Sequence, residues 1–192
     1  MRTVFDKAYF DRFYRDPETR AGDRDDAATQ AAFVCAYLKH LDVPIASVLD
    51  IGCGLGYLLD ALGTHLPGAS KRGVDVSAYL CERYGWIEHS VVDLDVPGAD
   101  LVVCYDVVEY LTDADAANAM TRLATLTNKA LFFGALTEED WALCDPNRTD
   151  ADVVSRPARW YRSRLARHFQ SVGGGLFLRK PVDAVIWTLD RL

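Results

Sequence analysis

The chain has 192 residues, a length that suits one domain and lets folding hide roughly 70% of the unfolded surface. Half of it is hydrophobic (50%), 26% is charged and the mean hydropathy is -0.03, which excludes a disordered or fibrous chain. A net charge of -7 argues against a protein whose main task is gripping phosphate backbones, since that needs a basic face, and so against nucleic acid as the partner.

The N-terminal stretch MRTVFDKAYFDRFYRD is broken by charge every few residues and lacks the apolar core of a signal peptide. No apolar run is long enough to span a bilayer, so the sequence predicts a cytoplasmic protein with no membrane partner. Its five cysteines, at 35, 53, 81, 104 and 144, form no C-x-x-C pair, and they read as reduced, buried thiols.

In chain order, Phe5, Tyr9 and Phe13 stand at i, i+4 and i+8, with Phe10 and Tyr14 beside them, and predict a short helix over 4–14 with an aromatic face. A second helix, from about Asp25 to Leu41, carries Ala31, Val34, Cys35, Leu38 and Leu41 on one stripe and stops before Pro44. These make residues 1–44 an N-terminal helical cap. From 45 to 136 the texture changes to β-branched runs (SVLDI, RGVDV, SVVDL, ADLVVCYDVV, ALFFGAL) that alternate with helical patterns. Such alternation implies an α/β fold, doubly wound, with a mostly parallel sheet covered on both faces. Residues 137–156 show no period and carry the turn signal Asp145-Pro146-Asn147, as a lid would, with Trp160 just beyond as a lid-facing aromatic. From 157 to 192 a helix with Tyr161, Leu165 and Phe169 inward leads to GGLFLRK and DAVIWTLDRL, expected to pair antiparallel at the sheet edge through a link containing Pro181. The six arginines between 148 and 168, with Trp141, Trp160 and Tyr161 nearby, read as a solvated helix face over a core stripe, with an arginine and a ring that hold an anionic or aromatic acceptor as the competing reading.

The stretch VLDIGCGLG, residues 48–56, is the first strand-to-helix turn, the usual border of a ligand site in an open α/β sheet. Gly52, Gly54 and Gly56 let the backbone approach a ligand closely, and the following helix points free N–H groups at it. A dinucleotide fingerprint, G-x-G-x-x-G, would need glycine where this chain has Tyr57. Asp50 at the strand's end would repel a pyrophosphate and suit a ligand with positive charge, such as S-adenosylmethionine with its ammonium and sulfonium. Asp75 ends the second strand 19 residues past Gly56, where an acid accepts from ribose hydroxyls. After the third predicted strand, SVVDL, Asp93 stands where it could accept from an adenine amino group, with Val76 and Leu94 as walls for the ring. Asp95 could exchange roles with Asp93.

With these residues in view, the chain resembles a class I S-adenosylmethionine-dependent methyltransferase of the small, single-domain kind. VLDIGCGLG is similar to that family's first motif, GVDVS to its ribose-binding second, VVDL to its adenine-binding third and DLVVCYDVVEYL to its fourth-strand segment. The resemblance implies S-adenosyl-L-methionine as cofactor, Cys53 and Cys104 among the residues around it, and a seven-stranded sheet of Rossmann-like type whose last strand is antiparallel. Many relatives follow the acid of the fourth segment with histidine, whereas here Glu109 is followed by Tyr110.

Methyl transfer from a sulfonium is an in-line displacement that depends mainly on holding the acceptor at a near-attack distance. An acceptor that must lose a proton also needs a base, and Tyr105, Asp106 and Glu109, at and beyond the fourth strand's end, are the catalytic candidates. Asp106 as a helix cap and Glu109 as an ordinary ion-pair partner are the competing structural roles. His40, His65, His89 and His168 are scattered without metal-ligand spacing, so no metal is expected. The favoured reading is methyl transfer to a small-molecule acceptor. Two others stay open, a protein or RNA methyltransferase and a non-catalytic cofactor-binding partner subunit. The sequence leaves open the acceptor, the atom methylated and the choice between monomer and homodimer.

Overall fold

A computed structural model describes residues 4–186. Its frame is a seven-stranded sheet in the order β3-β2-β1-β4-β5-β7-β6. The strands are β1 (Ser47–Ile51), β2 (Ser70–Asp75), β3 (Ile87–Glu88), β4 (Ala99–Tyr105), β5 (Thr127–Gly134), β6 (Phe169–Gly173) and β7 (Leu176–Arg179). The first five run parallel, β7 is antiparallel to β5, and β6 is antiparallel to β7. Strand order reverses between β1 and β4, the switch point outside which ligands sit in such sheets.

The helices are α1 (Lys7–Phe10), α2 (Arg24–His40), α3 (Tyr57–His65), α4 (Ala78–Tyr84), α5 (Asp113–Leu126), α6 (Glu138–Trp141) and α7 (Ala158–Leu165). The period of two along β4 divides the core. Leu101 and Val103 pack with Ala31, Val34 and Leu38 of α2 and Leu59 and Leu62 of α3, while Val102 and Cys104 face Met120 and Leu123 of α5 and Leu165 of α7. Asp23 closes a capping box at the start of α2 and Thr112 caps α5, which fixes where each helix begins.

Several expectations are corrected by the structure. SVVDL is not a strand. The chain leaves α4 at Gly85 in the left-handed conformation and pairs with β2 at once, Val74 opposite Ile87, so the edge strand is spent two residues later. Residues 91–93 then turn, dropping Val91 and Leu94 into the core. The antiparallel tail pair is also displaced. FQSVG pairs with LFLR around Gly173, Gly174 and Gly175, all at positive φ, because only this turn lets Phe169 and Leu176 both enter the core. DAVI lies past the last strand, and WTLDRL, 187–192, lies outside the described residues. The aromatic N-terminal helix is α1 continued by one π-type turn, Asp11–Arg15, which buries Phe10 and Phe13 more fully than Tyr9. Of the five thiols, those of Cys53, Cys81 and Cys104 are buried, but Cys35 and Cys144 are half-exposed. No helix among the described residues is long and apolar enough to cross a membrane.

Gly52 shows how tightly the first turn is built. It has φ +72°, and a Cβ there would lie 2.2 Å from Cγ2 of Val107. Gly52→Ala is therefore expected to cost at least about 1–3 kcal/mol through left-handed strain alone, before Val107 has to move. Thermal unfolding with an unchanged melting temperature would show that the turn is looser than this.

Candidate functional site

The turn after β1 is bound to β2 by its backbone, with the N–H groups of Gly52 and Cys53 both donating to the Val74 carbonyl at 2.8 and 3.1 Å. Gly54 follows at φ +54°, and a Cβ placed on it would meet nothing within 4 Å, so here the main chain borders open space. Its N–H donates to Oδ2 of Asp75 at 2.9 Å, and its carbonyl accepts from Nε1 of Trp86 at 3.0 Å. The Trp86 ring also covers Gly56 and Gly73, where side chains would collide with it. Trp86 was not singled out from the sequence. A lone tryptophan between a helix and an edge strand carries no periodic signal.

Two carboxylates meet behind this turn. Asp50 is 2% exposed, its Oδ2 is buried without a hydrogen-bond partner, and burial, with Asp75 beside it, pushes its carboxyl up to about 7. Asp75 is also raised by burial, opposed by the backbone N–H groups it accepts from. These include Ser77 N–H on Oδ1 at 2.9 Å and Gly54 N–H on Oδ2. Asp75 is thus a brace for the glycine turn as well as a candidate ligand, and its truncation would leave buried donors unpaired.

At the end of β4 the chain kinks. Asp106 takes φ +54°, its N–H donating to the Gly134 carbonyl at 3.1 Å, and a 3-10 turn, Val108–Tyr110, follows. Asp106 does not cap the next helix, since Thr112 does that. It stands exposed at the end of the sheet, and its carboxyl is raised by the protein mass crowded around it. Glu109 is 2% exposed, with Oε1 accepting from the Leu136 N–H at 3.3 Å and Oε2 buried without a partner. Burial and then Asp106 raise it. Tyr105, the third catalytic candidate, turns toward the opposite face of the sheet, its ring stacked on Phe132 at 5.2 Å over Gly134. Cys104 lies between the two acid pairs, its thiol raised by burial and by Glu109, Asp50 and Asp106.

The N-terminal segment roofs this end of the sheet. Phe10 packs with Leu55 of the glycine turn and Leu80 of α4, and the Phe5 carbonyl accepts from the Ser77 hydroxyl at 2.6 Å. Across the crevice, the Tyr9 and Tyr110 hydroxyls lie 2.9 Å apart and Phe5 sits edge-on to Tyr110 at 5.1 Å. Tyr14 bridges the two acid pairs, its hydroxyl raised by burial and then by Tyr9, Asp106, Asp75 and Glu109. Tyr110, which stands where relatives have histidine, is therefore a roof contact.

The residues predicted as adenine walls are not brought together. Val76 is 51% exposed, whereas Leu94 is sealed in the core by the turn that replaces its strand. Asp93 points outward, 3.5 Å from Nδ1 of His89. The segment read as a lid is anchored at both ends. Glu138 N–H donates to the Arg156 carbonyl at 2.9 Å and Val154 N–H to the Glu109 carbonyl at 2.8 Å. Arg156, expected on a solvated face, is 2% exposed and holds Asp113, the Val108 and Leu111 carbonyls and the Tyr161 hydroxyl. Trp160 does not face the lid alone. Its ring is clasped by Arg164 at 3.6 Å and Arg156 at 4.9 Å and lies against the core.

Residues 49–130 match the family described as a methyltransferase domain. No curated protein matches the chain. Among solved structures it is similar to DesVI of Streptomyces venezuelae, at 14% identity and a TM-score of 0.64 over 82% of this chain and 92% of that one. CalS10, an amino pentose methyltransferase of Micromonospora echinaspora solved with S-adenosylmethionine, aligns at 15% identity and 0.59 over 80% and 92%. The magnesium protoporphyrin IX methyltransferase of Synechocystis aligns at 18% and 0.56 over 82% of each chain. The glycine turn and the buried Asp50 fall within the residues matched to that methyltransferase domain, and the chain shares the fold of these solved structures.

Proposed function

We propose that the chain methylates a small-molecule acceptor taken up beneath the N-terminal aromatic roof. The observation that carries this reading is the interlock of Phe5, Tyr9 and Tyr110, which roofs the end of the sheet with aromatic side chains. An RNA or a folded protein would need a broad, basic or flat surface at this point, and the net charge of -7 does not favour the former. The proteins described as acting on an amino pentose and on magnesium protoporphyrin share the fold and support the same class.

The residues present fit the cofactor. The orphaned Oδ2 of Asp50 is a buried acceptor in need of a cation, and Gly54 offers bare backbone to a ligand. Asp50 would take the amino-acid ammonium, with Gly52, Cys53, Gly54 and Gly56 lining the approach. The lone pairs that Asp75 has left after its two backbone bonds would receive ribose hydroxyls. Val76 and Asp93 would border the adenine from the exposed side, and Cys104 would floor the space between the acids. When bound, S-adenosylmethionine supplies a methyl group on a positively charged sulfur that needs no further activation. The chain's own part is to exclude water with the roof, orient the acceptor and hold its proton. Glu109 and Asp106 would take that last task, and the 137–156 connection, anchored through Glu138 and Val154, would cover the acceptor side.

Two outcomes are expected. In an extract of the source cells supplied with S-adenosylmethionine labelled on the methyl, the enzyme should place label in the acid-soluble, low-mass fraction. Label confined to precipitated RNA or protein would overturn the small-molecule reading.

The second outcome concerns pH. Because a cation binds only ionised Asp50, whose carboxyl sits at about 7, affinity for S-adenosylhomocysteine should rise nearly tenfold per pH unit below about 7 and level off above it. The raised value also means that the protonated acid's contribution to stability is complete below its ordinary 3.8 and is lost as pH rises through about 7. Asp50→Asn should therefore flatten the binding profile and weaken binding, yet melt at a higher temperature than the ligand-free parent near pH 8. Calorimetry and thermal melts check both, and an unchanged profile in the variant would contradict the role of Asp50.

A further inference from the structure

The acceptor side of the site holds two acids that the cofactor's binding does not use. Glu109 is 2% exposed and its Oε2 has no partner, although a guanidinium lies close by. Arg156 spends its hydrogen bonds on Asp113, on the Val108 and Leu111 carbonyls and on the Tyr161 hydroxyl, none of them on Glu109. Asp106, at the kink that ends β4, lies near enough to Glu109 and Tyr9 to raise both, and the Tyr9 and Tyr110 hydroxyls lie 2.9 Å apart beside them. Two neighbouring carboxylates under aromatic rings are the surroundings that stabilise an organic ammonium, through charge on one side and ring faces or edges on the other. A neutral alcohol offers the ionised acids no countercharge and leaves them in their raised, protonated state. A metal ion is a poorer occupant, because no group of three or more His, Cys, Asp or Glu suited to a metal occurs among the described residues.

We infer that the acceptor is an amine, bound as its ammonium between Glu109 and Asp106 beneath Tyr9 and Tyr110, with Oε2 of Glu109 as the atom that takes its proton. This deepens the small-molecule reading above and rests on it. The proton balance is complete within the site. The N–H bond of the ammonium breaks, its electron pair stays on nitrogen as the free lone pair, and the proton forms an O–H bond on Glu109. Burial supports the exchange, since both acids are more basic here than in water. The amine's specificity then comes from one buried acid to which no cation among the described residues is bonded.

The test uses the whole chain saturated with S-adenosylhomocysteine, which binds without turnover. Benzylamine, an ammonium at neutral pH, and benzyl alcohol, its neutral near-isostere, are titrated in separately by ligand-observed NMR. Benzylamine should bind about tenfold more tightly than the alcohol. Glu109→Gln keeps an oxygen for the Leu136 N–H and should lose that preference while S-adenosylhomocysteine still binds. Asp106→Asn, at an exposed position that carries little folding risk, should reduce the preference. The inference is overturned if the alcohol binds as well as the amine, if neither binds, or if the preference survives in Glu109→Gln. Failure of S-adenosylhomocysteine to bind the parent protein would instead strike the underlying reading, so the two failures are told apart.

Discussion

Near the carboxyl ends of β1, β2 and β4 stand Asp50, Asp75, Asp106 and Glu109, and among the described residues no buried cation is bonded to any of them. Only Asp75 is satisfied from within, by backbone N–H groups of the turn it braces. An unpaired carboxylate in such surroundings is costly, and the raised values of Asp50, Asp106 and Glu109 are the form that cost takes. A sulfonium compound with an ammonium group would relieve it. The site is thus defined less by pockets of fitting shape than by charge that the protein leaves uncompensated.

The rest of the structure can be understood as support for that arrangement. Parallel pairing puts three strand ends side by side, and the order reversal between β1 and β4 opens the gap in which the acids sit. Left-handed backbone at Gly52, Gly54 and Asp106 brings main chain and carboxyl groups to the rim, strain that the packing of Val107 and the Gly134 hydrogen bond hold in place. Arg156 fastens the 3-10 turn that carries Glu109 by donating to the Val108 and Leu111 carbonyls. The two core layers, with α2 and α3 on one face and α5 and α7 on the other, keep the strand ends in register.

Much of this was legible in the sequence where one residue type answers one physical need. Glycine at 52, 54 and 56 followed by a helix marked the left-handed turn after β1, because positive φ at a strand end leaves few alternatives, and the acids at 50 and 75 lie beside it. SVVDL misled for a physical reason. An apolar run fills a core equally well as a turn, and pairing with β2 had already been taken by Ile87 and Glu88. The tail misled in the same way, since the apolar content of DAVI outweighed the three glycines at 173–175 that in fact make the hairpin. Tyr105 was grouped with Asp106 by proximity in sequence, while the period of two along β4 turns it to the opposite face. Trp86, Tyr110 and the burial of Arg156 depend on contacts between distant segments, which no local pattern encodes.

The most direct measurement is the titration of the Asp50 side-chain carboxyl by carbon NMR, in the ligand-free protein and again with saturating S-adenosylmethionine. Ligand-free, Asp50 should titrate near 7, far above the ordinary 3.8, and the bound cation should lower it by more than one pH unit. An Asp50 that titrates at its ordinary value without ligand, or that does not respond when S-adenosylmethionine binds, would contradict the view that uncompensated buried charge is what makes this site.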